Sequence, residues 1–371
     1  MRILYIFRSL AVWGGIERVL VEKMNHLYKM YGYEVYMLTT EQGQHPVPYQ
    51  LEDAVHLEDL GVQFHKQYQF HGVRRLWDAY RRTRLFEKRL SLKINEIHPD
   101  VIVCTTADHV NSIVKVKGRI PLIVESHSIF NRIFGEEGIR QRYVAYRLKK
   151  GIKKTSCLVT LSESDAIEWR RIHSHVEVIP NTVHLNKDSF SSLTNKRVLF
   201  VGRFDYQKRV SEIIEIWSTL YSDNRDWELH IYGDGMLRDE LEQKVQKLNI
   251  NIYIHQPTKD IFDCYINSSF LVSTSLFEPF GLVIPEAMSC GVPVISYDVP
   301  YGPGSIITEG KDGFLIKDND RKAFAEKMIL LMNNIELRQQ MGKQAIKSAQ
   351  RYSAEKIMPM WKKLFEELTI Q

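Results

Sequence analysis

Short apolar runs recur along the chain, and the stretches between them carry apolar residues at helical spacing. Residues 2–7 read as a buried strand, 16–31 as a helix opened by a glycine-bearing turn, and 34–39 as a second strand. A third strand is expected at 62–65, followed by a long basic amphipathic stretch over 73–97 that ends before Pro99. Runs at 101–105, 122–125, 158–161 and 177–179 complete a first set of strands. This alternation predicts a parallel sheet with helices on both faces.

The pattern then restarts. Runs at 196–202, 228–233, 251–254, 270–274, 292–296 and 313–316 read as strands, with helices expected over 210–221, 236–248, 259–267, 281–290 and 323–332. The boundary is placed in the Pro-Asn-Thr-Val turn at 180–183 and the polar stretch up to Asn195. Two doubly wound, Rossmann-like α/β domains are therefore expected, at 1–180 and 181–353. A last helix over 354–371, with Ile357, Met360, Trp361, Leu364 and Phe365 at helical spacing, is expected to pack across both. Ligands of such sheets sit beyond the carboxyl ends of the strands, so two facing sheets imply a cleft.

Composition narrows the class. With 371 residues, 44% hydrophobic and 26% charged, the chain is an ordinary globular protein, and collagen-like or disordered architectures drop out. The net charge of +5 is uneven: residues 1–180 carry 27 Lys+Arg against 20 Asp+Glu, and the remainder 23 against 25. The excess concentrates in 73–93, where Trp77, Tyr80 and Phe86 interleave with basic residues, and in 138–154, which has no acid. Such surfaces suit anionic headgroups or a lipid-linked phosphate acceptor; solvated helix faces are the plainer alternative. No nucleic-acid recognition module accompanies the charge, so a nucleic-acid partner is not expected. Cys104, Cys157, Cys264 and Cys290 form no C-x-x-C pair, which argues against a zinc site or disulfide framework and fits a reducing cytoplasm. Five apolar residues before Arg8 are too few for a secretory core, and no later run approaches a membrane span. A cytoplasmic protein is expected, peripheral at most at the inner face of the membrane.

Four segments carry candidate chemistry. In 277–294, FEPFGLVIPEAMSCGVPV, Glu278 follows an apolar strand and Glu286 lies eight positions later. Between them Gly281 is expected to open a helix whose free N–H groups suit an anion, with Glu286 about 7–8 Å along its axis. In LFVGRFDYQKR, a strand ending at Gly202 presents Arg203 and Lys208, cations suited to a diphosphate, with Arg209 a competitor for the same role. Gly14 and Gly15 after the first strand allow close backbone approach, but no G-x-G-x-x-G is present, which weakens a dehydrogenase reading. His127 follows the strand at 122–125.

The segment from Glu278 to Val294 closely resembles the paired-glutamate motif of the family-4 glycosyltransferases, retaining enzymes of the GT-B fold, and the resemblance extends over nearly the whole chain. It implies that Glu278 contacts donor-sugar hydroxyls and that Glu286 binds the nucleotide ribose. The backbone of Phe280, Gly281, Leu282 and Val283 would hold sugar and phosphate. It further implies that Arg203 and Lys208 grip the donor diphosphate in place of a metal, that Gly14 and Gly15 face the donor phosphates, and that His127 lies near the reacting carbon. Pro285 and Gly304 depart from the usual pattern. Ser162 and Asn181 also resemble family positions, but both have cap or turn explanations, and the Gly233-Asp234-Gly235 turn is expected to be structural, setting the backbone close to the nucleotide. The function implied is hexosyl transfer from a nucleotide-diphosphate sugar, UDP-sugar first, to a glycan or lipid-linked acceptor in cell-surface polysaccharide or lipopolysaccharide assembly. No cofactor and no metal are expected. A sugar-nucleotide epimerase of similar build, or a non-catalytic nucleotide-sugar-binding protein, fits the same segments.

Overall fold

The computed structural model describes residues 1–105, 107–134 and 138–370. The chain forms two compact units, one comprising Met1–Thr182 with Ile357–Gln371 and the other Val183–Lys356. Each is built on one wholly parallel sheet.

In the first unit the strands are β1 (Arg2–Phe7), β2 (Glu34–Thr39), β3 (His56–Asp59), β4 (Val101–Cys104), β5 (Leu122–Glu125), β6 (Cys157–Thr160) and β7 (Val176–Val178), in the spatial order 3-2-1-4-5-6-7. Both faces of the sheet centre are covered, so its strands do not alternate; β4, β5 and β6 are buried at every position. One core layer joins Leu4, Ile102, Leu122 and Leu158 of the sheet to Phe86, Leu90 and Ile94 of the helix Gly72–Ile97. The third strand lies at His56–Asp59 and not at 62–65. Gln63 adopts a left-handed conformation (φ 54°), and a 3₁₀ turn follows from Phe64 to Gln69. The true strand is an edge strand with only Leu57 apolar, paired to β2 through Tyr36 and His56, and so lacks the apolar run that marks the others.

The second unit has β8 (Arg197–Val201), β9 (Glu228–Tyr232), β10 (Ile252–His255), β11 (Phe270–Ser273), β12 (Val294–Asp298) and β13 (Gly313–Lys317), in the order 10-9-8-11-12-13. The helix expected from 281 begins at Val283 and ends at Ser289. Gly281 precedes it at φ 91°, a conformation that belongs to glycine. Its core gathers Phe200, Ile231, Phe270 and Ile295 from the sheet with Ile213, Trp217 and Phe324 from flanking helices.

The basic stretch of the first unit is one helix, and its charge is partly consumed internally. Buried Asp78 accepts from Arg82 (2.5 Å) and Arg81 (3.0 Å), Glu87 takes Arg84 (2.9 Å) and Lys115 (2.6 Å), and Lys93 meets Glu58 and Glu96. Val73, Leu76, Trp77 and Tyr80, spaced i, i+3, i+4, i+7, face solvent instead of the core, each more than 60% exposed. Tyr143, Val144 and Tyr146 of the helix Ile139–Ile152 are exposed as well; the side chain of Arg140 lies outside the described residues. No helix among the described residues is long and apolar enough to cross a membrane.

Trp217 is fully enclosed in the second core, so Trp217→Ala is expected to cost about 3–5 kcal/mol of stability. Urea unfolding monitored by circular dichroism measures the loss.

Candidate active site

In the second sheet β8 and β11 are neighbours, yet the chain leaves β8 towards β9 and β10 on one side, and β11 towards β12 and β13 on the other. Loops diverge at such a switch point and open a crevice beyond the carboxyl ends of the strands. Lys208 lies in the loop that follows β8, and Glu278 in the loop that follows β11.

The two side chains form an ion pair, Lys208 Nζ donating to Glu278 Oε1. Lys208 is 14% exposed and Glu278 6%, so Glu278 is not a solvated surface acid. Ser275 donates to the same oxygen at 2.7 Å. The loops are further joined where Gln207 Nε2 donates to the carbonyl of Phe277 at 3.0 Å and the Leu276 N–H to the carbonyl of Gln207 at 2.8 Å. From the third strand end, Gly302 donates its N–H to the Glu278 carbonyl at 2.8 Å. A side chain at 302 would meet the Phe280 carbonyl oxygen at 2.3 Å, so only glycine permits this approach. Tyr301 beside it holds φ 85°, a costly conformation for a non-glycine residue, kept by its bridge to Glu278.

Glu286 is 2% exposed, and its Oε2 accepts from the Tyr265 hydroxyl at 3.0 Å. Because the helix starts two residues later than expected, Glu286 sits in its first turn, about 4.5 Å along the axis. Phe280, Gly281, Leu282 and Val283 form the connection between the two glutamates. The N–H groups of a first helical turn have no intrahelical acceptor.

The cations named from the sequence separate. Arg203 is 71% exposed and lies 3.5 Å from Asp205. Arg209 is a strut and does not compete with Lys208: it pairs with Asp318, donates to the carbonyls of Thr274 (2.7 Å) and Ser275 (3.0 Å), and lies over the Tyr297 ring. Gly233 and Gly235 let the β9 loop lie against the β8 loop; a Cβ at 233 would sit 1.9 Å from the Gly202 carbonyl oxygen.

In the first unit Gly14 caps the helix Gly15–Tyr31 in ordinary extended geometry (φ −122°), and its carbonyl accepts from the Tyr49 hydroxyl at 3.0 Å. A Cβ at Gly14 would collide with the Glu17 carboxylate. His127 lies two residues beyond β5 with its side chain 4% exposed, and its Nε2 is 3.1 Å from Glu125 Oε1. That oxygen also accepts from Lys23, in a pair buried to 2% and 1% exposure. Burial opposes ionisation of Glu125, but Lys23 and then His127 outweigh it and hold the carboxyl at about 2. Burial lowers Lys23, though Glu125 opposes the shift. Ser162 caps the helix Glu163–Trp169, its hydroxyl accepting from the Asp165 N–H.

Sequence reading reached Glu278, Glu286 and Lys208, but not Ser275, Tyr265, Lys23 or Glu125, whose roles depend on partners brought close only by folding. Among the described residues no group of three or more His, Cys, Asp or Glu side chains is arranged to hold a metal.

Two family models divide the chain: Glycosyltransferase Family 4 matches residues 13–187, and Glycosyl transferases group 1 matches 184–348. An exopolysaccharide phosphotransferase of Streptomyces coelicolor is 32% identical over 193 residues; that match takes in 51% of this chain and 20% of the relative, so the chain spans only about a fifth of that protein. A Campylobacter jejuni enzyme is 26% identical over 377 residues, covering 99% of each chain; its name is GalNAc-alpha-(1->4)-GalNAc-alpha-(1->3)-diNAcBac-PP-undecaprenol alpha-1,4-N-acetyl-D-galactosaminyltransferase. The fold matches that of Staphylococcus aureus TarM, a structure with bound UDP, at TM-score 0.78 and 15% identity over 98% of this chain and 99% of that one. The two parallel sheets are those of the GT-B fold.

Lys208→Met leaves the Glu278 carboxylate buried without its cation and is expected to cost about 3 kcal/mol. Lys208→Met with Glu278→Gln is expected to recover most of it, as read from thermal unfolding midpoints of the two variants.

Proposed function

The chain belongs to family 4 of the glycosyltransferases, and we propose that it moves a hexosyl group from a UDP-sugar to a glycan or lipid-linked acceptor, with retention at the anomeric carbon. The observation that carries this reading is the pairing of Lys208 with Glu278 at the switch point, beside the turn that leads to buried Glu286. A cation and a carboxylate held together there match the two ends of a sugar diphosphate.

In this mechanism both bonds to Glu278 fall on Oε1, and Oε2 accepts from hydroxyls of the donor sugar. Glu286, set by Tyr265, accepts from the ribose. Lys208 and Arg203 take up the charge that develops on the departing diphosphate, together with the backbone N–H groups of 280–283. The acceptor oxygen bonds to the anomeric carbon on the face from which the diphosphate leaves. The carbon–oxygen bond to phosphate breaks with its electron pair on the diphosphate, and the acceptor proton passes to a departing phosphate oxygen. Fixed cations do the work of a divalent ion here, so chelation with EDTA is expected to leave the rate unchanged.

The acceptor belongs to cell-surface polysaccharide or lipopolysaccharide assembly. Support comes from the printed names of the relatives: the Campylobacter enzyme acts on a PP-undecaprenol glycan, and the Streptomyces one is an exopolysaccharide phosphotransferase. The exposed stripe of Val73, Leu76, Trp77 and Tyr80, flanked by Arg74, Arg75 and Arg81, supports docking of the first unit on the anionic inner face of the cell membrane. The protein is then cytoplasmic and peripheral.

Folded Lys208→Ala protein is expected to turn over more than about a hundredfold more slowly on UDP-sugar, with the wild-type product carrying the donor's anomeric configuration by NMR. Glu286→Gln is expected to weaken UDP binding about tenfold in calorimetry. Unchanged turnover or affinity removes the residue from the mechanism. The protein is expected to sediment with phosphatidylglycerol vesicles but not with pure phosphatidylcholine, and high salt is expected to release it; Trp77→Ser should weaken that binding. Failure to bind at low salt returns the stripe to an ordinary exposed face.

A further inference from the structure

We propose that Ser275 is a positioning residue for Glu278, and that Arg209 is what holds Ser275 in place. The proposal rests on the function given above for the identity of what Glu278 touches, and every residue in it belongs to the second unit.

Ser275 lies two residues beyond the end of β11 and is 2% exposed. Its backbone is locked by a side chain from the loop after β8, because Arg209 donates to the carbonyls of both Thr274 and Ser275. A return bond comes from the Thr274 hydroxyl, which lies 3.2 Å from the Lys208 carbonyl oxygen and 3.0 Å from that of Arg209. The guanidinium is itself fixed by Asp318 and by Asn319 Oδ1, the latter at 2.8 Å. Arg209 holds φ 47°, a left-handed conformation that favours glycine. A glycine would relieve that strain but would supply none of these bonds. The arginine at this position therefore serves the loop after β11, and its bonds end on the residue that reaches Glu278.

What Ser275 adds is a choice between two carboxylate oxygens. The last torsion of a glutamate side chain is broad and roughly two-fold, and a lysine ammonium on its flexible stem can follow either oxygen. Lys208 alone therefore leaves Oε1 and Oε2 interchangeable. A serine side chain is short, and on a fixed backbone its hydroxyl reaches one place. It donates to Glu278 Oε1 at 2.7 Å, the oxygen that also accepts from Lys208. The plane of the carboxylate is thereby set before a ligand arrives, and Oε2 is the oxygen kept for hydroxyls of the donor sugar. Without the serine that ordering falls to the sugar itself, and a misaligned carboxylate costs rate at the reacting end.

The test separates the sugar end of the donor from its nucleotide. Ser275→Ala protein is expected to turn over UDP-sugar about tenfold more slowly than wild type, while its affinity for UDP in calorimetry stays within about twofold. In a Glu278→Ala background the same substitution is expected to change turnover by less than about twofold, because nothing is left for Ser275 to position. Wild-type turnover in Ser275→Ala overturns the proposal. So does a fall in UDP affinity equal to the fall in turnover, or an equal loss in both backgrounds, either of which makes Ser275 a strut of the loop. Where Glu278→Ala alone is too slow to assay, the comparison of turnover with UDP affinity decides. Ser275→Ala protein that does not fold overturns the proposal as well. Wild-type protein that transfers no sugar removes the function above, whereas an active wild type with an equally active Ser275→Ala removes only the role of Ser275.

Discussion

The adjacency of β8 and β11 governs the second unit. Their register is short, Phe270 beside Val198 and Leu271 beside Leu199, yet the chain departs from the two strands in opposite directions. A crevice at that point follows from topology before any polar residue is considered. Once it exists, the loops that border it carry backbone groups the sheet no longer satisfies, and those groups must find partners. The Gln207 and Leu276 contacts, the Gly302 bond to Glu278 and the strut of Arg209 supply them. Lys208 and Glu278 can therefore stand together in a partly dry site without the loops collapsing around them.

Backbone approach is the second condition. Gly302 and Gly233 lie where any side chain would strike a carbonyl oxygen, and Gly281 takes a φ that residues with side chains rarely adopt. Tyr301 accepts unfavourable geometry in the same place. Strain gathered around Glu278 shows that the loop position is over-determined by its neighbours, as preorganised sites require. A flexible loop would have relaxed it.

Much of this was legible in the chain, for identifiable reasons. Parallel strands buried on both faces read as continuous apolar runs, so β1, β4, β5, β8 and β11 stood out. Strand β3 did not, because an edge strand exposed at His56 and Glu58 needs only Leu57 to be apolar. The start of the helix after Glu278 was misread by two residues because Gly281 serves the turn before it and not its first position. Local spacing exposed Glu278, Glu286 and Lys208. It could not expose Glu125, whose partner is distant in sequence, nor show that the two acids of the basic helix, Asp78 and Glu87, pair with its own and neighbouring cations.

The two units use the same device at different depths. In each, a lysine beyond the unit's first strand meets a glutamate at or past the carboxyl end of a later strand: Lys23 with Glu125 at the end of β5, and Lys208 with Glu278 in the loop after β11. The first pair is sealed, at 2% and 1% exposure, under the rings of Tyr5 and Trp361. Solvent scarcely reaches it, and the imidazole of His127 lies 3.1 Å from the carboxylate. The second is 14% and 6% exposed, in the loops beyond β8 and β11. There either charge can exchange part of the pair for a new partner, at small cost in lost Coulomb energy when both charges stay hydrogen-bonded. Depth of burial therefore separates a pair closed to solvent from a pair open to an exchange of partners.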